Sequence, residues 1–191
     1  VQGRLKAWRF TDGKWQEAEL PRLPSGALEM TDQPWGGDVV YLAASDFTTP
    51  LTLFALDLNV MELTVMRRQP QQFVSDGIEV RQFWAVSSDG ERIPYFHVGK
   101  NAAPDTPTLV YAYGGFGVPE LPHYLGSIGK YWLEEGNAFV LANIRGGGEF
   151  GPRWHQAAQG ISKHKSVDDL LAVVRDLSER GMSSPEHIGL Q

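Results

Sequence analysis

Residues 108–117 read TLVYAYGGFG, and this stretch decides which kind of sheet the chain builds. TLVYAY is a continuous apolar run of the type found in strands buried on both faces. It ends in two glycines clamped between aromatics, Tyr113 and Phe116. A second buried run, AFVLANI (138–144), again ends in glycines, in IRGGGEFG (144–151). A third strand begins at HIGLQ (187–191). Between the runs lie helical stretches. Residues 123–135, HYLGSIGKYWLEE, read as a helix with Gly136 as terminator. Ser166 opens VDDLLAVVRDLSERG: Ser166 and Asp169 are spaced as a capping box, Leu170, Leu171, Val173, Val174 and Leu177 form an apolar face, and Gly181 stops the helix. Strands alternating with helices imply crossovers and a parallel sheet, with chemistry at the carboxyl ends of the strands.

Upstream the rhythm is different. VRQFWAVS and RIPYFHVG flank Ser88-Asp89-Gly90, a hairpin signal. Before residue 75 the chain reads as all-β. RLKAWRF and KWQEAEL flank Thr11-Asp12-Gly13, and DVVYLAAS, LTLFALDL and LTVMRRQ follow. Strands at this spacing suggest a sandwich, barrel or propeller, and about one and a half four-stranded units fit. The expected division is 1–75 as a β-rich unit and 76–191 as an α/β unit.

The 191 residues are 42% hydrophobic and 21% charged, with a formal net charge of −6. That balance favours neither nucleic acid nor an anionic membrane as partner. No apolar stretch approaches a membrane span, and VQGRLKAWRF lacks the pattern of a signal peptide. The absence of cysteine excludes disulfides, thiolate catalysis and cysteine-ligated zinc. The five histidines form no metal-like cluster.

Two loops compete for a functional role. In YGGFG the bland reading is a tight turn with two core aromatics. The sharper one gives the Tyr113 hydroxyl to a developing oxyanion. The second loop holds G-x-G-x-x-G as Gly146, Gly148 and Gly151, the pattern of a dinucleotide site. Pro152 follows, and no acid stands at the next strand end, so a flexible glycine-rich loop is the plainer reading. Arg145 is expected to order local carbonyls, His155 to be structural or solvated, Trp154 to pack, and Glu134 and Glu135 to form a solvated helix end. Ser127 in LGSIG is an ordinary helix serine, since a nucleophile elbow needs glycine at the position of Leu125. Arg67 and Arg68 read as a charged strand end that discourages edge pairing.

Taken in order, YAYGGFG, ANIRGGGEFG, PRWHQ, SVDDL and SSPEHIGL closely resemble the prolyl oligopeptidase family of serine peptidases across 76–191. The resemblance over 1–75 is looser and matches the last blades of the family's propeller. It implies the fold class: the N-terminal half of an α/β-hydrolase domain preceded by β-propeller blade strands. It also implies acyl-enzyme cleavage of short peptides, after proline on the strength of Gly-Gly-Phe, without metal or cofactor. Tyr113 would donate to the oxyanion and Phe116 would line the pocket for the residue before the cut. The nucleophilic serine, the aspartate and the histidine would lie beyond Gln191, so this chain alone is expected to be inactive, with the rest of the same protein as its natural partner. A cytoplasmic or periplasmic setting would suit such an enzyme. The rival readings are a nucleotide-binding oxidoreductase fragment built on Gly146, Gly148 and Gly151, and a non-catalytic β-rich interaction module.

Overall fold

The computed structural model describes residues 5–31 and 36–191. The first four residues of the N-terminal reading, including Arg4 of the first expected strand, lie outside the described residues. Two units emerge. One comprises Gln72–Glu120 and Ser127–Gln191; the other holds the chain up to Gln71 together with Leu121–Gly126.

The β-rich unit begins with a hairpin, β1 (Ala7–Thr11) and β2 (Lys14–Ala18), turning at Asp12 and Gly13. Both turn residues have positive φ, 52° and 77°, as an Asp-Gly hairpin turn demands. Four antiparallel strands follow in meander order: β3 (Ala27–Met30), β4 (Val39–Ser45), β5 (Thr52–Asp57) and β6 (Glu62–Arg68). Alternation along β5 sends Phe54 and Leu56 inward to meet Leu42 and Ala44 of β4, a clean period-two pattern. A four-stranded sheet plus a two-stranded hairpin is the one and a half units expected. β6 is an edge strand and ends in Arg67 and Arg68, charges that disfavour a further strand there.

The α/β unit is a five-stranded sheet in the order β11 (Ile188–Leu190), β9 (Thr108–Ala112), β10 (Ala138–Ala142), β8 (Arg92–Gly99), β7 (Glu79–Val86). β7 and β8 form the expected hairpin around Gly90. β9, β10 and β11 are mutually parallel, while β10 runs antiparallel to β8. All five residues of β10 are buried, which explains its unbroken apolar sequence.

The helix expected over 123–135 is shorter. It consists of α1 (Gly126–Ile128) and a π-helical turn, Gly129–Leu133. The reason lies just upstream. Leu125 N–H donates to the Phe47 carbonyl at 3.2 Å, and Ala27 N–H donates to the Pro122 carbonyl at 2.8 Å. Those backbone bonds hold 121–125 out of a helix. Gly129 is required by packing, because a Cβ there would meet the Phe73 ring at 2.2 Å. Glu134 is not solvated as expected: it accepts from Val74 N–H (2.8 Å) and Lys130 (2.7 Å). Ser127 lies in α1, as expected of a helix serine.

A short helix α2 (Pro152–Gln156), not foreseen from the sequence, precedes the long α3 (His164–Glu179). α3 begins two residues before Ser166, and the expected capping box is not formed. Ser166 instead donates to the Arg145 carbonyl at 2.7 Å, and Asp169 is taken by Arg145 and Ser87. Charge-assisted bonds to a buried guanidinium outweigh a cap. The helix does stop at Gly181 (φ +66°). Met182 N–H bonds to the Leu177 carbonyl (2.9 Å) and Gly181 N–H to the Ser178 carbonyl (3.0 Å), the Schellman arrangement. The apolar face is narrower than expected: Ala172, Val173 and Leu177 are buried, whereas Leu171 is exposed. They pack with Ile93, Tyr95, Val110, Val140 and Trp154. Each large side chain removed from water in this way contributes about 1.5–3 kcal/mol.

Candidate active site

Tyr113 and Phe116 leave the carboxyl end of β9, the strand between β11 and β10. They are not core aromatics. Tyr113 is 45% exposed and Phe116 87%. Phe116 also has φ +53°, a left-handed conformation that costs a bulky residue about 1–2 kcal/mol. A strained backbone displaying an aromatic ring to solvent is a pattern that clusters at functional sites.

The second glycine-rich loop is the seat of the first. A Cβ at Gly146 would lie 2.1 Å from the Gly114 carbonyl oxygen, and one at Gly148 would lie 2.1 Å from that of Gly117. Gly117 N–H donates to the Gly146 carbonyl and Gly148 N–H to the Val118 carbonyl, both at 3.1 Å. The bare backbone of Gly146 and Gly148 is therefore occupied by the YGGFG loop, which leaves it no face for a pyrophosphate. Pro152 opens α2 immediately after Gly151.

Arg145 anchors the seat. It is 3% exposed and was expected to bind carbonyls; it binds carboxylates instead. Its guanidinium donates to Asp169 at 2.6 and 2.9 Å, to Asp89 at 2.6 and 3.0 Å, and to Ser87 Oγ at 3.2 Å. Arg145 N–H adds a bond to Asp169 at 2.9 Å, and Ser87 donates to Asp169 at 2.6 Å. Asp169 is fully buried, and so many donors are what a buried carboxylate needs. The Arg145 guanidinium holds the Asp89 carboxyl well below the ordinary carboxylate range, with Lys165 assisting against the cost of burial. The same partners, Asp169 first, raise the Arg145 pKa further.

His155 supports the loop from beneath. Its Nδ1 donates to the Gly146 carbonyl at 2.7 Å, its Nε2 accepts from Gln159 at 2.6 Å, and its ring underlies Gly117. Trp154 is buried and donates to the Ile144 carbonyl at 3.1 Å. Lys163 donates to the Gly114 carbonyl and to Ser166 Oγ. Glu149 accepts from Glu120 N–H at 3.0 Å and Asn143 Nδ2 at 3.2 Å, and burial raises its pKa. Arg145, Asp169 and Lys163 were not legible as site residues. Their only signal is a cation beside a glycine run and an acid on the inner face of a helix. Among the described residues no group of acids and histidines could hold a metal ion, and no helix is long and apolar enough to cross a membrane.

By likeness to a solved structure, the mixed sheet with three parallel strands, a helix crossing over it and a presented loop at its carboxyl edge is the start of an α/β-hydrolase domain, preceded by β-propeller blade strands. Residues 125–191 match the model of the prolyl oligopeptidase family. The chain is 36% identical over its whole length to uncharacterized peptidase y4nA of Sinorhizobium fredii, covering 27% of it. It is 29% identical over 79% of its length to the prolyl endopeptidase of Elizabethkingia meningoseptica, covering 22% of it. The solved structure of a post-proline cleaving enzyme from Rickettsia typhi superposes with a TM-score of 0.80 at 31% identity, over 97% of this chain and 27% of that one. The chain belongs to the prolyl oligopeptidase family, peptidase S9, and spans about a quarter of the length of these relatives.

Proposed function

We propose that residues 76–191 open the catalytic domain, and residues 1–75 close the propeller, of an oligopeptidase that cleaves short peptides on the carboxyl side of proline by acyl-enzyme chemistry. Tyr113 donates its hydroxyl to the oxyanion of the tetrahedral intermediate. Phe116 lines the pocket for the residue before the cut. One observation carries the reading: the strained, 87% exposed Phe116 and the adjacent Tyr113 stand on a loop braced by buried ion pairs. The rigid seat matters because an oxyanion donor works only if it is in place before charge develops. The chain spans about a quarter of its relatives' length, and acyl transfer needs a nucleophile, a base and an orienting acid together, so peptide turnover is assigned to the whole protein. The similarity to a prolyl endopeptidase and to a post-proline cleaving enzyme supports the same specificity.

The test is Tyr113→Phe in the whole protein, assayed on a Gly-Pro chromogenic peptide. Loss of one oxyanion donor lowers kcat by about 10²–10³ with KM little changed. A variant as active as its parent would remove Tyr113 from the mechanism. Phe116→Ala tests the other half: KM for proline substrates rises far more than KM for peptides with alanine before the cut.

A further inference from the structure

We propose that Lys163 is a positioning residue for the Tyr113 loop. Its ammonium fixes the Gly114 carbonyl, and through it the direction in which Tyr113 presents its hydroxyl. The inference rests on the assignment of Tyr113 above. Lys163 precedes the first turn of α3 and donates to two oxygens, the Gly114 carbonyl and Ser166 Oγ, the latter at 3.1 Å. The Ser166 hydroxyl in turn donates a hydrogen bond to the Arg145 carbonyl at 2.7 Å, and Arg145 is held by Asp169 and Asp89. Lys163 is thus the last link from a buried, rigid cluster to the loop.

The Gly114 carbonyl is seated as well as pulled. It rests on the bare Cα of Gly146, where a Cβ would come within 2.1 Å. Gly114 itself has φ +59°, a conformation with no intrinsic preference over its alternatives. Something must select it, and a charge-assisted bond, roughly twice as strong as a neutral one, does so. Gly114 follows Tyr113 directly, so a carbonyl that swings away takes the Tyr113 backbone with it. Lys163 itself is exposed, so its removal opens no cavity in the core.

The experiment measures kcat, KM and thermal midpoint on a Gly-Pro chromogenic peptide, in the whole protein, for Lys163→Met, Lys163→Arg, Tyr113→Phe and the Lys163→Met/Tyr113→Phe pair. A loop misplaced by about 1 Å costs on the order of 10²-fold, so Lys163→Met should lower kcat by about 10–100-fold with KM within about threefold. Lys163→Arg should recover most of the loss, since it restores a charged donor. In the Tyr113→Phe background the lysine change should cost less than about threefold more, because residues acting as a unit are not additive. If Lys163→Met does not fold, Lys163→Gln repeats the cycle with a neutral donor. A kcat within threefold of the parent for Lys163→Met, or equal losses in both backgrounds, overturns the proposal while leaving Tyr113 in place. A fully active Tyr113→Phe overturns the Tyr113 assignment and this inference with it.

Discussion

Gly148→Ala tests the seat of the loop by sterics alone, because Gly148 is not among the glycines with positive φ. A Cβ built there lies 2.1 Å from the Gly117 carbonyl oxygen and 3.1 Å from the Pro119 ring. Real Cβ atoms stay at least 3.0 Å from such an oxygen, so the loop must retreat by 0.9 Å or more. The obstacle is the Gly117 backbone beside a rigid proline ring, so no flexible side chain can swing away to absorb it. Overpacking of this kind costs about 1–3 kcal/mol of stability. Its effect on catalysis is larger: a displacement of about 1 Å in a positioning element costs on the order of 10²-fold. The assay is kcat/KM on a Gly-Pro chromogenic peptide in the whole protein, beside a thermal melt. Gly136→Ala is the control. Its φ of +89° strains an alanine, yet no atom lies within 4 Å of the new methyl. It should cost about 1 kcal/mol and leave activity intact. Gly148→Ala folded and as active as Gly136→Ala would refute the claim that the second glycine loop seats the first.

Asp169→Asn keeps the shape of a fully buried side chain and removes its charge, leaving Arg145 to the half-exposed Asp89. Breaking a buried pair from one side costs about 3–5 kcal/mol, read as a drop in the urea midpoint, and the Arg145→Met/Asp169→Leu pair should cost less than the two single losses added. His97 makes stability depend on pH. Burial, with Arg81 nearby, lowers its pKa from 6.5 to about 4. Between those values the unfolded chain binds the proton and the folded one does not, so stability falls as pH drops from 6.5 towards 4, by about 3 kcal/mol in all. His97→Gln should flatten the thermal midpoint across that window, and parallel curves would count against it. The isolated 191-residue chain should give no turnover of the chromogenic peptide above a blank preparation.

Much of the fold was legible because apolar runs and turn residues agree. TLVYAY, AFVLANI and HIGLQ became the three parallel strands, and the Asp-Gly pairs became hairpins. The misses share a cause, the overruling of a local signal by a distant partner. Ser166 and Asp169 have capping-box spacing, yet Arg145, more than twenty residues away, claims both. Residues 123–125 have helical composition, yet the bond from Leu125 N–H to the Phe47 carbonyl holds Leu125 out of the helix. Tyr113 and Phe116 were legible as a pair worth singling out. Their exposure was not, since aromatics beside a buried strand usually continue the core. Nor could spacing reveal that the second glycine run exists to accommodate the first.

Phe116 carries a consequence for directed evolution. At φ +53° and 87% exposed, its ring gains almost nothing from the fold and its backbone is penalised. Glycine would remove the penalty, worth about 1 kcal/mol. A laboratory selection for heat resistance alone should therefore discard this phenylalanine early. A selection that also demands cleavage after proline should retain it. Which residue survives at position 116 under each regime measures how much stability is given up for the substrate-binding role proposed for Phe116.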